Sequence, residues 1–216
     1  MRDDLQIKHR RSIRLKGVDY TQPGAYFVTI CAFRREEIFG TEIGDRIQLS
    51  PIGQIIQAEW FRSAEIRKEI RLFEDECVVM PNHMHGIVWI GNEIVSADGA
   101  RAVAVGANGV RPIDDAEGMP NEQDTRAEQG THRVPLRMAP RSLGSFIAGF
   151  KASVTSQAGR ELNAANIWQR NYYEHIIRNE NELKNIWNYI DTNPLRWQED
   201  QLHPTASPNP FNQDNP

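Results

Sequence analysis

The chain has 216 residues, a formal net charge of −4 at neutral pH, 39% hydrophobic residues and two cysteines. That length supports one sizeable core, and no run approaches the roughly 18 apolar residues of a membrane span, so no membrane-spanning helix is expected. The start, MRDDLQIKHRR, carries charges with no apolar stretch behind them, which excludes a secretory signal as a reading and makes a cytosolic location the expectation.

Taken in chain order, QPGAYFVTICAF opens on a Pro-Gly turn and becomes β-branched and aromatic, which predicts a strand over residues 25–33. Ser50 followed by Pro51 reads as a helix N-cap with proline at the first helical position. Ile52, Ile55, Ile56 and Trp60 then recur at helical spacing, so a helix is expected over 51–68. DECVVM and HMHGIVWI flank the Pro81-Asn82 turn and predict two hairpin-like strands. Residues 91–137 are rich in Gly, Ala, Asp and Glu with little periodicity, and read as a mobile acidic insertion.

Ser142 can cap a helix bearing Leu143, Phe146, Ile147, Phe150 and Val154, ended by Ala158-Gly159. The segment 166–179 is aromatic and β-branched enough for a further strand. Asn179 or Asn181 caps a last helix with an apolar stripe of Leu183, Ile186, Trp187 and Ile190, ended near Pro194. The order β-α-β-β-α-β plus a C-terminal helix predicts an α+β, ferredoxin-like split βαβ domain. Its antiparallel sheet would have four strands with helices on one face. Residues 1–20 then form a basic N-terminal arm, 21–197 a single domain, and 198–216 a disordered Pro/Asn-rich tail.

Cys31 and Cys77 lie in apolar strand-like runs, too far apart for a C-x-x-C site, and are read as small buried hydrophobes. The negative balance argues at first against a nucleic-acid partner. Its distribution reverses that. Residues 91–130 hold eight acids against three arginines, and 198–216 hold three acids and no Lys or Arg. Without them the remainder has 22 basic and 18 acidic residues, a body of +4 compatible with a phosphate backbone.

Chemistry concentrates in two places. In MPNHMHGIVWI an extended backbone sends His83 and His85 to one face and Met84 to the other, an arrangement suited to a shared metal ion and equally to two core histidines. In NYIDTNP, Tyr189 and Asn193 stand four apart on one helix face. Each also has an ordinary reading, as a rim tyrosine and as a helix C-terminal asparagine.

The combination of QPGAYFVTICAF, MPNHMHGIVWI, SLGSFIAGFKASVT, WQRNYYEHIIRNENEL and NYIDTNPLR resembles the HUH single-strand transposases, most closely the REP-associated tyrosine transposases. The resemblance covers about residues 10–197 outside the insertion. It implies that His83 and His85 bind a divalent metal, that Tyr189 is the nucleophile, and that Asn193 is a third metal ligand. The asparagine at 193, where many insertion-sequence relatives carry glutamine, favours the REP-associated branch. The long acidic insertion departs from compact relatives. The implied function is a metal-dependent single-stranded DNA endonuclease and strand transferase that forms a 5′-phosphotyrosine on hairpin-containing, palindromic DNA. The implied location is the bacterial cytoplasm, at the nucleoid, and the protein would act as a monomer or homodimer. Mg²⁺ or Mn²⁺ is the implied cofactor, with Mn²⁺ the better match for imidazole. A non-transposing regulator that binds DNA hairpins is the alternative.

Around this set, Arg141, Lys151 and Arg170 are candidate phosphate contacts, and Tyr173 and His175 candidate DNA-facing residues on one strand face. A competing assignment makes Tyr173 the nucleophile with His175 as base or ligand. A structural zinc site is a further reading, and two histidines without cysteines speak against it.

Overall fold

The computed structural model describes residues 22–91 and 139–207. The basic arm, the acidic insertion beyond Gly91 and residues 208–216 lie outside the described residues. The elements are β1 (Gly24–Cys31), β2 (Gly40–Ile43), β3 (Arg46–Leu49), α1 (Pro51–Ile66), β4 (Ile70–Arg71), β5 (Cys77–Val79), β6 (His83–Ile90), α2 (Leu143–Leu162), β7 (Tyr173–Ile177) and α3 (Glu180–Thr192). A 3₁₀ turn, Pro194–Glu199, follows α3.

The main sheet is antiparallel and runs β7-β1-β6, with β5 and β4 pairing successive parts of the outer edge of β6. This is the α+β split βαβ arrangement, with a fifth short strand beyond the four expected. β2 and β3 form a separate hairpin. Its strands are four residues each and turn at Gly44, whose φ of +65° suits glycine; so short an alternation gives little periodic signal.

Alternation along the two central strands builds two cores. Tyr26, Val28 and Ile30 of β1 and Met84, Val88 and Ile90 of β6 pack against Ile55, Ile56 and Trp60 of α1 and Phe146, Ile147, Phe150 and Val154 of α2. Ala25, Phe27, Ile87, Trp89 and Ile177 occupy the other face, under Ile190, Leu183 and Ile186 of α3. Helices therefore cover both faces: α1 and α2 share one, as expected, and α3 crosses the face to which His83 and His85 point. Among the described residues no helix is long and apolar enough to cross a membrane.

Ser50 and Ser142 cap as their positions foretell. Ser50 Oγ accepts from Gly53 N at 3.1 Å, and Ser142 and Ser145 form a reciprocal capping box. α2 runs past Gly159 to Leu162 and stops at Asn163, which adopts a left-handed φ of 51°. β7 is shorter than the 166–179 expected because Lys151 Nζ takes the carbonyls of Gln169 at 2.7 Å and Asn171 at 3.1 Å, drawing that stretch toward α2. The expected tail also differs. Residues 198–207 fold back, with Trp197, Asp200 and Leu202 buried and Asn82 Nδ2 donating to the Leu202 carbonyl at 2.8 Å.

Two glycines permit close approaches. At Gly86 a Cβ would lie 2.5 Å from Cζ2 of the fully buried Trp60, so the bare backbone of β6 is the floor on which that indole sits. At Gly53 a Cβ would meet the Phe39 carbonyl oxygen, a backbone atom held by the Ser50 N–H at 3.0 Å. Gly53→Ala is therefore expected to lower unfolding free energy by about 3 kcal/mol, read as a lower urea midpoint with little change in slope. A shift under about 0.5 kcal/mol would contradict this packing.

Candidate active site

The Pro81-Asn82 turn sends β6 into the sheet with His83 and His85 on the α3 face, opposite Cys31 and Thr29 of β1 in register. Both imidazoles are buried, at 0% and 2% exposure. Their Nε2 atoms lie 3.0 Å apart. Each ring is held at its other nitrogen. His83 Nδ1 donates to Asn82 Oδ1 at 2.8 Å, an orientation fixed because Asn82 Nδ2 must donate to the Leu202 carbonyl. His85 Nδ1 meets Thr29 Oγ1 at 2.9 Å. With its proton on Nδ1, His83 turns the Nε2 lone pair inward, as a ligating histidine does. Burial pushes His83 down to about 3, and burial together with its neighbour His83 pushes His85 well below the usual imidazole range, so both are neutral at physiological pH.

α3 delivers the other two expected residues. Its apolar stripe is fixed on the sheet by Ile190, which turns Tyr189 toward the histidines: the hydroxyl lies 3.1 Å from His85 Nε2. Phe27 braces the assembly. Its ring stacks on His85 with centroids 5.3 Å apart and meets Tyr189 edge-on at 6.1 Å. One turn beyond, Asn193 is 3% exposed, and its Oδ1 is buried with no hydrogen-bond partner. Such an orphaned acceptor costs free energy unless something completes it.

A fifth group, which sequence reasoning missed, is Asp200. It arrives on the folded-back segment after α3, where its Oδ2 accepts from Asn193 Nδ2 at 3.0 Å and from the Tyr189 hydroxyl at 3.4 Å, while Oδ1 accepts from Leu202 N at 2.6 Å. Donor atoms of His83, His85 and Asp200 all lie within 4.8 Å of one another. Burial, followed by the charge of Asp200, holds the Tyr189 phenol above its usual value. The signal was present: Trp197 and Leu202 are apolar residues flanking Glu199-Asp200, unlike a solvated tail.

The donor set fits a divalent cation. Two ligand bonds of about 2.1 Å meeting at a right angle place their donor atoms about 3.0 Å apart, the spacing of the two Nε2 atoms. The orphaned Asn193 Oδ1 is an amide oxygen of the kind such an ion takes, and Asp200 supplies the negative charge that two imidazoles and an amide lack.

The remaining predicted residues scatter. His175 Nε2 bonds Glu182 Oε1 at 2.6 Å, on α3's first turn, so the carboxylate, not the histidine pair, is its partner. Lys151 is committed to two carbonyls and brought down to about 8 by burial. Arg141 acts on Glu69, whose carbonyl accepts from Gly91 N at the end of β6 away from His83. Arg170 is exposed just before β7, and Tyr173 lies on the site's face of β7. Burial pushes the Cys31 thiol up to about 11 and Cys77 up to about 12, so both stay protonated.

No family model matches the chain. It belongs to one family with an uncharacterized protein of Haemophilus influenzae, to which it is 37% identical over 198 residues, covering 91% of this chain and 94% of that one. Among solved structures it is similar to a REP-associated tyrosine transposase bound to a REP hairpin, at 18% identity and a TM-score of 0.47, over 90% of this chain and 76% of that chain. It is also similar to a candidate transposase from Deinococcus radiodurans, at 12% identity and a TM-score of 0.38, over 82% of this chain and 96% of that chain.

Proposed function

We propose that this chain is a metal-dependent enzyme that nicks and rejoins single-stranded DNA through Tyr189, of the HUH tyrosine transposase type, acting on hairpin-forming palindromic DNA in the cytoplasm. The observation that carries the reading is the approach of the Tyr189 hydroxyl to 3.1 Å from His85 Nε2, itself 3.0 Å from His83 Nε2, across 104 positions of sequence. Two motifs with ordinary separate explanations converge on one point.

His83, His85 and Asn193 would hold Mn²⁺ or Mg²⁺, with Asp200 as a fourth donor. When bound, such a cation polarises the scissile phosphodiester and offsets charge on its non-bridging oxygens. The chain's own residues do the rest. Phe27 and Ile190 fix the Tyr189 ring so that its oxygen faces the histidine pair, where the scissile phosphate would lie. A phenol held above its usual pKa is a poor nucleophile unless its proton leaves during attack. Asp200 Oδ2, at 3.4 Å, is the acceptor in place. The Tyr189 O–P bond forms, the P–O3′ bond breaks, and the leaving 3′ oxygen picks up a proton from solvent. The phosphotyrosine keeps the energy of the broken diester, so attack by a 3′ hydroxyl reverses the step and joins strands.

Incubating the full chain with end-labelled single-stranded hairpin DNA and Mn²⁺ is expected to give a protein–DNA adduct that survives denaturation and carries the fragment 3′ of the nick. Tight hairpin binding with no adduct under any divalent metal would favour the non-cleaving regulator.

A further inference from the structure

The site sits at one end of the sheet, and its row of side chains continues outward. His85 of β6 is directly opposite Thr29 of β1, and Thr29 is directly opposite Tyr173 of β7. All three face α3's side, as the Thr29–His85 bond and the contact of Tyr173 with Phe27 require. Strand spacing sets Tyr173 about 10 Å from His85 across two ladder steps. Among the described residues, β7 is an edge strand of the sheet.

Tyr173 is 41% exposed, although the tyrosine before it, Tyr172, packs against the helix-side core. Its ring is steadied from below: Phe27 meets it edge-on at 6.5 Å and 71°. The same Phe27 carries His85 and Tyr189, so one buried ring sets the positions of the candidate ligand, the candidate nucleophile and this outer tyrosine. Exposed cations stand at the same end of the sheet. Arg170 lies three residues before Tyr173, and Arg34 lies in the turn that leaves β1. An exposed aromatic ring with exposed cations at the same end of the sheet, in line with the candidate metal centre, is an arrangement that can grip unpaired nucleotides.

We propose that Tyr173 is a nucleobase platform: the unpaired base next to the scissile phosphate stacks on its exposed ring, with the adjoining backbone phosphate against Arg170. This rests on the nuclease reading above and adds to it the contact that positions the substrate strand. Tyr173 is thereby a substrate-binding residue and takes no part in bond making. The competing role as nucleophile finds no support in its place two strands from His83 and His85.

The test uses the full chain in EDTA, which withholds metal and cleavage, and single-stranded hairpin oligonucleotides with 2-aminopurine at each unpaired position in turn. The expected result is strong fluorescence quenching at one position, retained in Tyr173→Phe and lost in Tyr173→Leu. Affinity should fall roughly five- to a hundredfold in the leucine variant alone. Melting curves within a few degrees of the parent exclude a folding defect as the cause. A quench pattern unchanged in Tyr173→Leu overturns the platform while leaving the nuclease reading intact. Failure of the parent chain to bind any oligonucleotide overturns both. Covalent adduct formation with Mn²⁺ and the unmodified hairpin separates the two failures independently.

Discussion

Tyr189→Phe is expected to abolish the covalent adduct and strand cleavage, by on the order of 10⁴-fold or more, while hairpin binding stays within about twofold. The substitution removes one oxygen and keeps the ring. That ring is 36% exposed and held edge-on by Phe27, so the phenyl keeps its seat. The lost hydroxyl leaves His85 Nε2 with His83 Nε2 still at 3.0 Å, and Asp200 Oδ2 with its bond from Asn193 Nδ2. No buried group is stranded, so the variant should melt close to the parent. The measurement is a denaturing gel of labelled DNA with Mn²⁺, paired with an equilibrium binding curve in EDTA. Cleavage that persists at the parental rate would transfer the nucleophile to another residue or to water.

His85→Ala carries the second large effect, on metal binding. A ligand that binds only the folded chain raises its unfolding free energy by about 2.7 kcal/mol at one hundred times its dissociation constant. The parent chain should show that gain with Mn²⁺, and His85→Ala should show none. Stability without metal is measured separately in EDTA, because removing a ring that is 2% exposed and stacked on Phe27 has a packing cost of its own. Neither core leans on the cation: Trp60, Phe146 and Phe150 pack with one another on the helix side, and Trp89 is tied to Glu76 at 2.6 Å on the other. Chelation should therefore leave the fold standing. Unfolding in EDTA at room temperature would instead indicate a structural zinc site.

The parts of the fold legible in sequence were those with repeated local signals. Ser50-Pro51 and Ser142 announced two helices, and the apolar run after His83 announced the central strand. The parity of His83 and His85 about Met84 placed both imidazoles on one face, because strand geometry leaves no alternative. Local pattern could not show that α3 would cross the opposite face from α1 and α2. Its stripe of Leu183, Ile186 and Ile190 says that one side is buried, and only the sheet says against what. The 198–207 segment was misread for a related reason. Pro204 and the Pro/Asn-rich residues from 208 onward resemble a solvated tail and outweigh Trp197 and Leu202, which form no periodic run, so their burial depends on the groove they enter. Asp200 was lost with them. Lys151 looked like a free cation on an amphipathic helix, and its capture by the carbonyls of Gln169 and Asn171 is a tertiary event with no local trace.

The account stands or falls on a cation shared by the two imidazoles beside the phenol. Crystals of the chain grown with Mn²⁺ and measured at the manganese absorption edge would locate it directly. The account predicts an anomalous peak about 2.2 Å from both His83 Nε2 and His85 Nε2, bordered by Asn193 and Asp200. A saturated crystal with no peak there, or with manganese bound elsewhere and the two histidines bonded only to each other, would contradict it.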